Sequence, residues 1–223
     1  MRAGLHVAPG VTYWPEFFAP AEQARLLEEI LARAVEAPFY RPTMPGSGKP
    51  LSVEMTNFGP LGWITDQTKG YRYEPFHPVT GTPWPEIPSD LLTFWNDTTG
   101  YPAPPEACLV NRYGADSRMG LHRDQDEAPR NAPVLSISLG DTALFRFGGL
   151  TRRDPTKTLK LASGDVLMFG GPARLMYHGV DRIYPGRSGL LPGGGRINLT
   201  LRRVTMPEAI TATSQKRSGR LGG

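Results

Sequence analysis

Cysteine is nearly absent from the 223 residues: Cys108 stands alone, which excludes an internal disulfide framework. The stretch from Met1 to Val11 has no apolar core of the signal-peptide kind, and no apolar run approaches bilayer-spanning length. These absences lead us to expect a soluble, cytoplasmic protein with no membrane attachment. Histidine is scarce too, at four residues, so each one has to be accounted for. Acidic charge is in deficit. A net charge of +4 and a pI near 9.3 favour a polyanionic partner such as nucleic acid. Part of the excess sits in Gln215-Lys216-Arg217-Ser218-Gly219-Arg220, which is expected to be a disordered end.

Two helices are expected near the N-terminus. From Pro20 to Glu36, Leu26, Leu27, Ile30, Leu31 and Ala34 recur at helical spacing, with Pro20 suited to the first turn and Pro38 ending the pattern. A second helix should be capped by Ser89 and bury Leu91, Leu92 and Trp95. Between them, Tyr40 to Pro88 is rich in Pro, Gly and aromatics and suits short strands and ordered loops. Trp14, Trp84 and Trp95 are read as packing residues.

Beyond Pro105 the texture becomes short β-like runs: Ala107 to Tyr113, Val134 to Leu139, Ala143 to Phe147, Thr158 to Leu161, Asp165 to Phe169, Arg174 to Val180 and Arg196 to Val204. Gly-rich turns separate them. Such a series predicts a mostly β fold, a double-sheet jelly roll whose mouth can hold a metal. The segment Gly186 to Gly195 lacks the Lys-Ser/Thr ending of a phosphate loop and is read as a flexible loop. At this length one core suffices. The expected division is an N-terminal extension over 1–105, a catalytic core over 106–204 and a basic tail over 205–223, in a monomer.

The chemistry is suggested by His122-Arg123-Asp124. On an extended strand, side chains two apart leave from the same face, so His122 and Asp124 can reach one ion together, and His178 would complete the set. Two imidazoles and a carboxylate suit a non-haem Fe(II) oxygenase, and zinc hydrolases use the same ligand types. The last run separates the two. Its period of two places Arg196, Asn198, Thr200 and Arg202 on one face and Ile197, Leu199 and Leu201 on the other. A hydrolase has no use for that polar ladder. A 2-oxo dicarboxylate that chelates iron at one end needs a fixed guanidinium at the other. His6 and His77 have no such company and are read as ordinary surface or loop histidines.

In order and spacing, Leu109-Val-Asn-Arg-Tyr-Gly, Leu121-His-Arg-Asp-Gln-Asp-Glu, Tyr177-His-Gly and Arg196-Ile-Asn-Leu-Thr-Leu-Arg resemble the AlkB family of Fe(II)/2-oxoglutarate dioxygenases, most of all its bacterial DNA-repair branch. Ser136-Ile-Ser-Leu-Gly, Phe145-Arg-Phe-Gly-Gly-Leu, Ser163-Gly-Asp-Val-Leu-Met-Phe-Gly-Gly and Met55-Thr-Asn-Phe-Gly extend the likeness over most of the chain. It implies a double-stranded β-helix core under a nucleotide-recognition lid made by the N-terminal segment. It implies His122, Asp124 and His178 as iron ligands. Asn111, Tyr113, Arg196, Asn198 and Arg202 are implied as 2-oxoglutarate contacts, with Arg202 on the distal carboxylate and Arg196 nearer the chelating end. Met55, Trp63, Tyr71, Asp126 and Arg152 are implied as substrate contacts: Trp63 stacks on an extruded base, Asp126 meets its exocyclic nitrogen, and Tyr71 and Arg152 touch phosphate or base rim. The activity implied is oxidative demethylation of 1-methyladenine and 3-methylcytosine in single-stranded or locally opened DNA, with RNA as a further substrate, yielding formaldehyde, succinate and carbon dioxide. The alternatives are an oxygenase of the same kind acting on a protein or small molecule, and a non-catalytic nucleic-acid binder that keeps the fold.

Overall fold

The computed structural model describes residues 3–207. In chain order its strands are β1 (Leu5–Ala8), β2 (Val11–Trp14), β3 (Glu54–Phe58), β4 (Gly62–Asp66), β5 (Gly70–Glu74), β6 (Ala107–Tyr113), β7 (Met119–His122), β8 (Val134–Gly140), β9 (Thr142–Phe147), β10 (Lys157–Leu161), β11 (Val166–Phe169), β12 (His178–Tyr184) and β13 (Arg196–Arg202). Helix α1 is Pro20–Glu36 and α2 is Ser89–Thr99. A seven-stranded sheet runs β1-β2-β11-β8-β13-β6-β3 and faces a four-stranded sheet β10-β9-β12-β7, while β4 and β5 form a separate hairpin. Neighbouring strands are antiparallel throughout, as the jelly-roll expectation requires. The N-terminal segment is woven into this sandwich, because β1, β2 and β3 all belong to the larger sheet.

The alternation in β13 explains the layering. Ile197, Leu199 and Leu201 are buried with Val110, Leu135 and Ile137 under α1 and α2, which supply Leu26, Ile30, Leu91 and Trp95. Burying each such side chain is worth about 1.5–3 kcal/mol. The opposite face of β13 looks into the sandwich, where a second core gathers Phe145, Phe147, Phe169, Met176 and Val180. Register is therefore fixed from both sides, since a slip of one residue would turn Arg196 and Arg202 into the helices.

Helix α1 matches its expected span, with the Glu22 carboxylate turned back to accept the Ala19 backbone N–H at 2.7 Å. Its buried stripe is narrower than expected: Leu31 is exposed. In α2, Pro88 takes the capping position, its carbonyl accepting from Leu91 and Leu92, and Ser89 is already the first helical residue. The helix buries Leu91, Phe94 and Trp95 and leaves Leu92 outside.

Three further expectations are corrected. The strand expected from Arg174 begins only at His178 and continues to Tyr184, because a 3-10 turn over Gly171–Ala173 engages the backbone N–H groups of Arg174 and Met176 locally, while the buried Arg174 guanidinium donates to the Ala132 and Asp124 carbonyls at 2.8 Å each. The loop from Gly186 to Gly195 is pinned at both ends by buried Asp141, whose carboxylate accepts from the backbone N–H groups of Arg187 at 2.7 Å and Gly195 at 2.9 Å. His77 belongs to the interior: Nδ1 accepts from Val79 and Thr80, and Nε2–H donates to the Pro38 carbonyl at 2.8 Å. His6 is exposed as expected, and Trp14, Trp84 and Trp95 are buried packing residues. The thiol of Cys108 lies wholly inside the helix-covered core, and burial pushes its pKa up to about 12. Among the described residues no helix is long and apolar enough to cross a membrane. The basic run from Gln215 lies outside the described residues.

Candidate metal centre

The two sheets bring His122, Asp124 and His178 together. His122 ends β7 and pairs directly with His178, the first residue of β12, and the rings lie 4.4 Å apart. One nitrogen or oxygen from each of the three side chains falls within 4.8 Å of the others. The Nδ1–H of His122 donates to the Gly120 carbonyl at 2.9 Å and that of His178 to the Met176 carbonyl at 3.1 Å. Both Nε2 lone pairs are thereby turned toward Asp124, at 3.8 Å each. The route differs from the expectation of one shared strand. Asp124 lies beyond the end of β7, buried in the turn that follows, and buried cations hold it in place.

Arg202 reaches Asp124 Oδ1 at 2.9 Å, while Oδ2 has no hydrogen-bond partner. Burial alone would raise the Asp124 carboxyl, but Arg202, His178, His122 and Arg174 outweigh it and hold the pKa down to about 2. Burial and the neighbouring His122 push His178 down to about 4, so its imidazole is neutral at physiological pH, the form that binds a metal. A buried, ionised, half-partnered carboxylate facing two imidazoles is a donor set that fits Fe(II).

Glu127 escaped the sequence reasoning. It is fully buried, accepting from the Tyr73 hydroxyl at 2.5 Å and pairing with Arg174 at 3.0 Å and Arg202 at 3.1 Å. The available signal was its place three residues after Asp124, a second acid beside the first. Arg174 and Tyr73 belong to the same network and carried no distinguishing spacing.

Along β13 the two arginines sit at opposite ends, and Arg202, expected at the distal carboxylate, is the one beside Asp124. Arg202 belongs to the metal end through Asp124. Among the described residues Arg196 makes no ion pair with an acid: it donates to the Leu161 carbonyl at 3.0 Å and to Ser138 Oγ at 2.7 Å. Burial brings its pKa down to about 10, so it stays cationic and is the guanidinium suited to a distal carboxylate. Asn198 donates to Ser136 Oγ at 2.8 Å. Asn111 faces Asn198 and Tyr113 faces Arg196 across the ladder. The Nε groups of Arg196 and Arg202 and Oδ1 of Asn111 are buried and, among the described residues, have no hydrogen-bond partner. Such orphans are costly unless something polar satisfies them, and a bound dicarboxylate keto acid fits.

The β4–β5 hairpin carries Trp63 and Tyr71, stacked at 5.4 Å with 19° between their planes. Trp63 Nε1–H donates to Asp126 Oδ2 at 2.9 Å, joining the expected base platform to the expected base contact. Tyr71 already covers one face of the indole. Arg152 donates to the Leu121 carbonyl at 2.8 Å, one residue before His122. Met55 is buried in β3 opposite Asn111, beneath the cosubstrate ladder.

Gly179 is what lets β7 approach. A Cβ there would lie 2.5 Å from the Met119 carbonyl oxygen and 3.0 Å from the Gly120 backbone. Gly179→Ala should push β7 outward, carry His122 away from His178 and weaken Fe(II) binding by about 10–100-fold, the range seen when a ligand's support is lost. Metal titration of the purified variant, with its melting temperature alongside, checks this.

Comparison with known proteins gives four likenesses. The profile of the 2OG-Fe(II) oxygenase superfamily matches residues 10–202. An alpha-ketoglutarate-dependent dioxygenase AlkB homolog of Caulobacter vibrioides is 56% identical over 202 residues, 90% of each chain. A relative in Arabidopsis thaliana named DNA N(6)-methyladenine demethylase ALKBH1C is 28% identical over 98% of this chain and 48% of its own length. The solved structure of OsALKBH1 superposes with a TM-score of 0.79 at 30% identity, covering 90% of this chain and all of that one.

Proposed function

The chain belongs to the 2OG-Fe(II) oxygenase superfamily and within it to the AlkB family, and we propose that it demethylates alkylated bases in DNA oxidatively, 1-methyladenine and 3-methylcytosine first among them. Fe(II) and 2-oxoglutarate are its cofactor and cosubstrate. The observation that carries the proposal is the His122–Asp124–His178 set followed, two residues beyond Asp124, by Asp126, whose carboxylate is joined to Trp63 at 2.9 Å.

His122, Asp124 and His178 would hold the iron. Arg196, with Asn111, Tyr113 and Asn198, would hold 2-oxoglutarate by its distal end, and Arg202 would serve the end nearer Asp124. Bound together, iron and keto acid supply dioxygen activation and hydroxylation of the methyl carbon, with succinate and carbon dioxide released. The side chains do the rest. Phe145 and Phe169, with ring centroids 5.8 and 4.9 Å from that of His178, keep the pocket apolar and exclude water. Trp63 offers its remaining face to a base that has left its stack. Asp126, with one oxygen on the indole, favours a ring made cationic by methylation over its neutral parent. A hydroxymethyl group on a ring nitrogen collapses to formaldehyde by itself, so no acid or base is required for that step. Within residues 1–105 the β4–β5 hairpin would form the recognition part, the other strands of that segment completing the larger sheet of the catalytic core at 106–204. Single-stranded or locally opened DNA suits a site that needs an extruded base, RNA offers the same base edges, and a cytoplasmic monomer accords with these parts.

The test is mass analysis of an oligonucleotide bearing one methylated base, before and after incubation with Fe(II), 2-oxoglutarate and oxygen. Loss of one methylene mass with release of formaldehyde is expected, and succinate formation with an unchanged oligonucleotide would refute the proposal. Trp63→Ala should raise KM for the methylated strand about tenfold, in keeping with the roughly 1–3 kcal/mol of a base–aromatic stack. Slow succinate formation without substrate should persist. Loss of both activities would show that Trp63 serves the fold.

A further inference from the structure

On the outer face of the four-stranded sheet lies an open trough of about 400 Å³ that the mechanism does not use, lined by Arg118 and Gly120 beside β7, Arg146 on β9, and Asp181 and Arg182 on β12. Its acid is already committed: Asp181 takes the Arg146 guanidinium through contacts of 2.5 to 3.0 Å, and Thr156 accepts from the same group at 3.0 Å. Arg146 is thus a fixed floor. Arg118 and Arg182 are exposed, and among the described residues neither has an ion pair. Lys160, 5.5 Å above the Tyr184 ring, extends the same positive face.

The placement follows from strand register. Val180 pairs with Met119, so Arg182, two residues on, and Arg118, one residue back, emerge at the same end of the trough. β7 then runs from there to His122. Four residues of extended chain span about 13 Å, a distance that a short run of nucleotides can follow. Between the two ends, Gly120 has nothing within 4 Å of where a Cβ would stand, leaving the β7 backbone open to close approach.

We propose that this trough is a phosphate track that receives the nucleic-acid backbone a few nucleotides away from the base held at His122, with Arg118 and Arg182 as its contacts. The proposal rests on the demethylase reading and adds the prediction that affinity depends on strand length through residues remote from the iron. An acidic protein would find the same charges, but a track that leads along β7 to the metal ligand favours the substrate's own strand.

The test compares Arg118→Ala, Arg182→Ala and the double variant with Arg25→Ala, a control on α1 beyond the other sheet. For an unmethylated single strand of about 25 nucleotides, each trough substitution should lower affinity several-fold and flatten the plot of log affinity against log salt by about 0.7. Formaldehyde release from a methylated trinucleotide, too short to reach Arg118 and Arg182 at the far end of the trough, should match the wild type. Salt slopes equal to that of Arg25→Ala would overturn the proposal, and so would a parallel loss of trinucleotide turnover. A wild-type protein that leaves the methylated trinucleotide intact would instead remove the demethylase reading, and the track with it.

Discussion

With alanine at position 178, 2-oxoglutarate turnover should fall to the level of free iron in buffer. His178 is one of three donors, it enters the site already neutral, and no other histidine can replace it: His77 is buried with both ring nitrogens engaged, and His6 lies exposed on β1. The loss should exceed the roughly 10–100-fold associated with the partners that merely orient a metal ligand. Phe145 and Phe169 pack around the ring, so the variant also gains a small cavity, and its melting temperature must be measured beside its activity. A folded His178→Ala protein with full turnover would refute the ligand assignment, whereas a folded, silent protein that no longer binds Fe(II) is the expected result.

Arg202→Ala should be the most destabilising single change at the site. Its guanidinium lies between two buried carboxylates, 2.9 Å from Asp124 and 3.1 Å from Glu127, and removing it leaves both without their main counter-charge. Breaking a buried pair of this kind costs about 3–5 kcal/mol. Arg174 still faces Glu127 at 3.0 Å, so the larger share of the penalty should fall on Asp124, whose carboxyl would then titrate higher and hold metal less well. Adding Glu127→Gln to Arg202→Ala should restore part of the lost stability without restoring turnover, a coupling that denaturant titrations of the two single variants and the double variant would read. Arg196→Ala is the informative contrast. It removes a guanidinium that touches no acid, so it should raise KM for 2-oxoglutarate while Fe(II) affinity stays near that of the parent. Equal loss of metal by both variants would argue against placing the two arginines at opposite ends of the cosubstrate.

What the chain disclosed in advance was whatever has a period. The two-residue alternation of β13 named its inner and outer faces correctly, and the helical spacing in α1 gave its span. The triad was legible because histidine is scarce and the spacing of His122 and Asp124 is short, although the reason offered, a shared strand, was mistaken. Contacts made across the fold left no trace in spacing. Glu127, Arg174 and Tyr73 come from three distant segments and meet only after both sheets have closed. Which arginine lies beside Asp124 was hidden for the same reason, since the alternation of β13 gives its faces and not its ends. Leu31 and Leu92 were over-counted because apolar character does not say how wide a stripe the sheet beneath can cover.

One buried atom bears on how the protein survives its surroundings. Electrophiles that methylate bases attack sulfur most readily when it is ionised, and a thiol with a pKa near 12 is almost wholly protonated in the cell. Cys108 is sealed between α1, α2 and the larger sheet as well, where neither such reagents nor stray peroxide can reach it. The one thiol of the chain is therefore withheld from the agents that alkylate bases, and its modification is closed as a route to losing the fold that carries the site.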